Sequence, residues 1–408
     1  MSKKILIISK YASTLEFGFE TRIATIARNM QKLGNEITIV TSDSNHFAKF
    51  EKFKKTFNVL IHNNLKIICI RTLKYKKTIS VLRVLSWIDF EIKLFFMNKK
   101  NFFNKPDVII VSSLSLITII NGLILKLFYN CKLVFEIRDI WPLVAVVEGG
   151  YSKYNPLIIM LSIVEKIGYK YSDLIVGTMP NLTPHVQNIS GKKKSAECIP
   201  FGYKFKKSIN NNLKGRLLTY RSFIDSKFTI AYAGSIGMSN GLETFVEVIK
   251  KMKKNKNIGF IFMGDGSYKN QIQETLKEND NVIFMPKVQK SEVQYYLKEF
   301  DVLYFSSLKS KVWDYGWSPN KIIDYMVSER PIIASYSGYK SMINEAKCGE
   351  FVEAENEIVL ENMIIKFSKF NKTHLNNIGA RGRKWIELNR SWNLITKKYL
   401  KIINNLFD

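Results

Sequence analysis

Ser318-Pro319-Asn320-Lys321, followed by Asp324, puts one cation and one carboxylate about a turn apart at the start of a helix. Pro319 suits a first helical position, and the N–H groups of that first turn have no partner inside the helix, so they point outward beside Lys321. A cation with free N–H groups suits a phosphate, and a carboxylate suits ribose hydroxyls; together they form a clamp for a nucleotide sugar. The plainer alternative is a Ser318 cap with an exposed Lys321–Asp324 pair. A second cluster, Phe135-Glu136-Ile137-Arg138-Asp139-Ile140-Trp141-Pro142, places three charges directly after an apolar strand-like run. Charges at the carboxyl end of a buried strand commonly serve a ligand, which makes Glu136, Arg138, Asp139 and Trp141 candidate site residues. An internal Arg138–Asp139 ion pair is the competing reading.

Three glycine-bearing turns complete the set. Ala233-Gly234-Ser235-Ile236-Gly237, running into Asn240-Gly241-Leu242-Glu243, reads as a turn that opens a helix and could hold a diphosphate at its N-terminus. Gly264-Asp265-Gly266 follows a strand and would let a base or ribose approach the backbone, or simply make a tight turn. Gly18, in the loop after the first strand, could do the same for a phosphate or sugar, or be a plain connection. None of these has the G-x-G-x-x-G spacing of a dinucleotide fingerprint, so NAD and FAD are not expected. Asp89-Phe90-Glu91 is the nearest mimic of a metal-binding D-x-D, but it lies in a basic amphipathic stretch, so no metal is expected.

These residues need strands and helices to hold them. Lys4–Ser9 and Glu36–Thr41 read as strands flanking a helix over Thr21–Leu33 that Gly34 terminates. Further strand-like runs at 66–71, 107–112, 132–137 and 173–178 complete one alternating series. Residues 201–227 lack periodicity and read as a connecting segment. A second series begins at Phe228–Ala233 and recurs at 258–263, 281–285, 301–306 and 331–335. The predicted architecture is α/β, with two Rossmann-like, doubly wound domains facing each other across a cleft. Their expected bounds are 1–203 and 204–380, with 381–408 forming one amphipathic helix that packs back across the domains.

With 408 residues, of which 46% are hydrophobic, the chain has material for two cores. Cys69, Cys131, Cys198 and Cys348 are widely separated, which argues against a zinc site or a disulfide framework and suits a reducing compartment. Lys4 onward runs straight into a strand, with no apolar leader, so export is not expected. Val108–Tyr129 is apolar enough to suggest a membrane span, but its β-branched start and Ser112-Ser113 divide it into a strand and a helix. The net charge of +27 calls for an anionic partner. Lysines between 49 and 105 are interleaved with Phe, Leu, Val and Trp, a mixture that suits an anionic membrane surface better than a nucleic-acid groove.

At these residues the chain resembles the GT-B retaining glycosyltransferases of the glycosyltransferase-4 family, especially those that add aminosugars in O-antigen and capsule synthesis. The resemblance rests on Arg138-Asp139-Ile140-Trp141-Pro142, on Ala233–Gly237 and on Ser318–Lys321 with Asp324-Tyr325-Met326. It implies a metal-independent transferase with no cofactor, in which the second domain holds a UDP-linked sugar and the first receives a lipid-linked saccharide. It also implies a peripheral location at the cytoplasmic face of the plasma membrane. On that basis Gly18, Gly234, Ser235, Gly237, Gly264, Asp265, Gly266, Ser318, Asn320 and Asp324 are expected around the donor, Lys321 joins Arg138 and Asp139 in catalysis, and Glu136 and Trp141 are expected on the acceptor side. The chain departs from the family pattern at five positions. Gly316 and Asp324 stand where two glutamates are usual, Ser235 and Asn240 where an Arg and a Lys are usual, and Arg138 where many relatives have His. A nucleotide-sugar 2-epimerase of the same architecture and a basic membrane- or nucleic-acid-binding protein are the alternatives.

Overall fold

The computed structural model describes residues 2–45, 48–51, 53–75, 80–205 and 214–408, without the side chains of 214–216. Lys52, Lys76 and Lys77 of the basic stretch, and residues 206–213 of the expected connecting segment, lie outside the described residues. The chain divides into two compact units, one of Met1–Gly202 with Trp392–Asp408 and one of Tyr203–Ser391.

The first unit is built from β1 (Lys4–Ile8), α1 (Arg22–Lys32), β2 (Glu36–Ser42), β3 (Phe57–His62), β4 (Leu65–Ile70), α2 (Val81–Phe96), β5 (Val108–Ser112), α3 (Thr118–Tyr129), β6 (Lys132–Ile137), α4 (Leu143–Val147), α5 (Pro156–Tyr171), β7 (Leu174–Gly177), α6 (Thr183–Ser190) and β8 (Ala196–Cys198). Its sheet runs β3-β4-β2-β1-β5-β6-β7-β8 and is parallel except for the β3–β4 hairpin. Continuous Ile and Val runs fit strands covered on both faces. Ile5, Ile7, Val108, Ile110 and Val134 share one core with Ile23, Ile26 and Met30 of α1. The opposite face carries α3 and α5, and a Cβ at Gly122 would meet Val111 while one at Gly168 would meet Phe135. The sequence reading missed β3 and β8. β3 is a half-exposed edge strand that turns at Asn63-Asn64, both with positive φ, and β8 is only three residues long.

The second unit contains α7 (Lys214–Ser226), β9 (Phe228–Ser235), α8 (Glu243–Lys251), β10 (Ile258–Asp265), α9 (Lys269–Thr275), β11 (Val282–Met285), α10 (Val293–Leu297), β12 (Val302–Ser306), α11 (Asn320–Val327), β13 (Ile332–Ser335), α12 (Ile343–Ala346), β14 (Gly349–Val352), α13 (Glu357–Ser368) and α14 (Lys372–Asn389). Its parallel sheet runs β11-β10-β9-β12-β13-β14, so the strand order reverses between β9 and β12. Ligands bind at the carboxyl edge of such a switch point.

Two expectations are corrected. Residues 214–226 form α7, whose apolar face is too thin for its periodicity to be read from sequence. The single terminal helix is two helices: α14 ends at Asn389, Ser391 bridges to Tyr203, and α15 (Trp392–Asn404) follows. α15 joins the first unit, where Ile395, Tyr399 and Ile403 enter the core beside α1. Among the described residues, no helix is long and apolar enough to cross a membrane. Val108–Tyr129 is β5 and α3.

Candidate functional site

β9, β10 and β11 end side by side, and a cavity of about 590 Å³ opens at their carboxyl ends. That volume suits a ligand of nucleotide size. Its walls carry Gly234, Ser235, Gly264, Asp265, Gly266, Asn320, Lys321 and Asp324, eight of the residues singled out from the sequence. Lys287 and Lys290 also line it and were not foreseen. The available signal was a pair of lysines three apart immediately after a strand, the same position that drew attention to Arg138. Gly237 and Ser318 do not line the cavity.

The glycines are required by the chain's own packing. Gly264 pairs with Gly234 across the sheet, and a Cβ on Gly264 would lie 1.9 Å from the Gly234 carbonyl oxygen. A Cβ on Gly266 would lie 2.1 Å from the carbonyl oxygen of Ile236. Both glycines line the cavity, but the atoms they admit belong to β9 and the loop that follows it rather than to a ligand. Gly234, with φ +150°, makes room for Lys321, whose Cε would sit 2.5 Å from an added Cβ.

α11 is fastened to the end of β9 by residues one turn apart. The Tyr325 hydroxyl accepts from the Ala233 N–H at 2.8 Å and donates to the Ala233 carbonyl at 2.9 Å. Lys321 Nζ donates to the Tyr232 hydroxyl at 2.6 Å, which in turn donates to the Ser235 carbonyl at 2.5 Å. These bonds fix the α11 N-terminus, with Asn320 and Lys321, against the cavity. The helix opens at Pro319 without a side-chain cap. The start of α8, expected as an anion seat, begins with Glu243 and lies outside the lining of this cavity, to which the end of β9 contributes Gly234 and Ser235.

Asp324 is buried and bonded to Lys290, and Gln294 donates to its backbone carbonyl at 2.9 Å. Burial raises the carboxyl pKa, and the Lys290 charge opposes that rise. Burial pushes Lys321 down to about 8. The site therefore presents three lysines, two carboxylates (Asp265 and Asp324) and a helix N-terminus in one concavity, a set that suits a phosphorylated polyol.

The first unit's residues are arranged differently. Glu136 is fully buried, paired with Arg22 at 2.7 Å, and accepts from the Tyr399 hydroxyl at 3.2 Å. Arg22 also donates to the Ile199 carbonyl at 2.5 Å. Glu136 is therefore a tie between β6, α1 and α15, which corrects its expected acceptor-side role. Arg138 and Asp139 do not pair. The Arg138 guanidinium lies 4.9 Å from the Phe201 ring centre, its buried Nε has no hydrogen-bond partner, and Asp139 is exposed. Trp141 stands edge-on to Trp87 and is followed by a cis peptide bond to Pro142. Gly18 has φ +116° and bridges to Ala48, with open space where a Cβ would be. Ser9 and Ser112, just beyond the end of β1 and at the end of β5, carry buried hydroxyls without partners.

Two parallel-sheet, Rossmann-like units of this kind define the GT-B fold, and solved structures agree. Sucrose-phosphate synthase from Thermosynechococcus elongatus superposes with a TM-score of 0.71 at 14% identity, covering 99% of each chain. HepE of Anabaena, solved in complex with UDP-glucose, gives 0.64 at 11% identity over 99% of this chain and 100% of its own.

Sequence comparison bears on the second unit in particular: residues 227–369 match the family model of glycosyl transferases group 1. An uncharacterized glycosyltransferase of Methanocaldococcus jannaschii is 27% identical over 240 residues, 57% of this chain. The match spans 56% of that relative's length.

Proposed function

We propose that the protein is a glycosyltransferase that moves a sugar from a nucleoside diphosphate, UDP in our reading, to an acceptor. The observation that carries this is the meeting of Lys321, Lys290 and Asp324 with the N-terminus of α11 at the carboxyl ends of β9–β11. The lysines and helix N–H groups neutralise a diphosphate, and Asp324 accepts from ribose hydroxyls. When the bond from the anomeric carbon to the diphosphate breaks, the negative charge that grows on the leaving oxygen falls among cations already in place. Lysines thus take the part that a metal ion plays elsewhere. The family match over 227–369 supports the same reading.

The finer reading is transfer of an N-acetylated aminosugar, with retention, to a lipid-linked saccharide in O-antigen or capsule synthesis. It is supported by the motif order across the chain and by a net charge of +27, which favours an anionic surface. The enzyme would then work peripherally, at the cytoplasmic face of the membrane. On the acceptor side, the unpartnered Arg138 Nε and the buried hydroxyls of Ser9 and Ser112 offer hydrogen bonds to a sugar.

A panel of UDP-, GDP- and dTDP-sugars tests the proposal by thermal stabilisation, because a ligand of the folded state raises the midpoint with its occupancy. One nucleotide class should raise the midpoint, and Asp324→Ala should abolish the shift. Stabilisation by none of them would overturn the reading. Product analysis with donor alone separates transfer from epimerisation.

A further inference from the structure

α2 lies on the first unit's sheet with Phe90 and Leu94 fully buried, yet its outward side is also apolar. Val81, Leu85, Ile88, Ile92 and Phe95 follow one another at steps of four and three, the spacing of a single helix face, and all are exposed, Val81 to 75%. A helix that covers a core in water presents polar residues there instead. The neighbouring helices continue the pattern. On α3, Leu127 is 81% exposed and Phe128 64%, and on α5, Ile159 and Ile163 point outward.

These three helices form one layer. Glu91 of α2 accepts from Thr118 and Asn121 of α3 at 2.5 and 2.8 Å, and Ile119 of α3 packs against Gly168 of α5. Lys126 of α3 donates to the Tyr171 carbonyl at the end of α5 at 3.0 Å.

The charge around this layer has one sign. Its acidic groups are already engaged: Glu91 is buried among hydroxyl and amide donors, Asp89 is paired with Lys93, Asp173 with Lys126 and Glu165 with His185. Lys99 and Lys100 remain, on the wall of a cavity of about 220 Å³ shared with Ile124 and Phe128. Lys170 stands 5.2 Å from the Tyr171 ring centre and Lys153 5.1 Å from that of Tyr154, so aromatic rings and ammonium groups alternate at the edge. An apolar face edged by lysines and tyrosines suits the boundary between lipid headgroups and acyl chains. A second copy of the chain would bring the same lysines and another +27 of charge against it.

We propose that the outward face of α2, α3 and α5 is the surface on which the first unit seats on an anionic lipid bilayer. It gives the lipid-linked acceptor reading a physical site, but it rests on its own observations and is tested without donor or acceptor. Full-length protein is sedimented with phosphatidylcholine vesicles containing about one third phosphatidylglycerol and with phosphatidylcholine alone. The expected result is binding to the anionic vesicles. In the variant Ile88→Ser/Ile92→Ser/Leu127→Ser the bound fraction should fall at least about tenfold, since each apolar side chain withdrawn from lipid weakens partitioning severalfold. Lys99→Glu/Lys100→Glu should weaken binding and reduce its salt dependence.

Thermal midpoints and circular dichroism measured without nucleotide should stay as in the wild type and show that the variants are folded. Absence of vesicle binding by the wild type overturns the proposal, as does equal binding by the triple serine variant. So does a wild-type dimer in solution that the serine variant converts to monomer. Loss of nucleotide binding in the wild type would count against the transferase reading alone.

Discussion

The ammonium of Lys321 rests on Tyr232, 2.6 Å from its hydroxyl and 4.1 Å from the centre of its ring. Gly234 leaves the space this requires. A long, flexible side chain is thereby held at one place beside the α11 N-terminus, so an anion that binds there does not have to order it first.

The first prediction is a pH dependence. Burial holds the Lys321 pKa at about 8 in the free site, so the ammonium is present below that pH and lost above it. A bound diphosphate favours the protonated form. Donor affinity should therefore hold up to about pH 8 and fall by up to roughly tenfold per unit beyond it, as isothermal titration with UDP would measure. Lys321→Ala should abolish both turnover and this dependence while leaving the fold intact.

Asp324 titrates in the opposite sense. Its pKa is raised by burial and restrained by Lys290, so the carboxylate is lost as pH falls. Removing Lys290 raises that pKa further. In Lys290→Ala, UDP affinity should decline at a higher pH on the acid side than in the wild type. Superimposable acid limbs would show that Lys290 does not act through Asp324.

Gly264→Ala should lower the thermal midpoint by several degrees, a loss above about 2 kcal/mol, because the added methyl meets the backbone of β9 and φ is +152°. Gly237→Ala is the matched control. Its Cβ would meet only Asn240 at 3.6 Å, so near-neutral stability is expected.

Arg22→Ala leaves the Glu136 carboxylate buried without its cation, a change that costs about 3–5 kcal/mol in such pairs. Denaturant unfolding should show this loss in the first unit. Saturated turnover at low temperature should change far less, which is the distinction between a structural tie and an acceptor-side contact.

Much of the site was readable before any coordinates. Ser318–Lys321 with Asp324 lies on one stretch of chain, and helical spacing alone brings the cation and the carboxylate together. The parallel strands were readable too, because a strand buried on both faces must be apolar at every position, as Val108–Val111 is. β3, β8, β14 and α7 were not, since short edge strands and a helix with little apolar face leave weak periodicity.

By itself the sequence determined the two alternating series, the glycine turns and the spacing of Lys321 and Asp324 on α11, all of which depend on residues near one another in the chain. Only the tertiary structure decided the partners. Lys290 reaches Asp324 across 34 residues because β11 ends beside β10, next to β9, and Arg22 reaches Glu136 across 114 because α1 and β6 contribute to one core of the first unit. Strand order fixes those meetings, and local periodicity carries no information about strand order. That is why Glu136 read as a ligand contact and Lys290 went unnoticed, although each carries a charge at or just beyond a strand's carboxyl end.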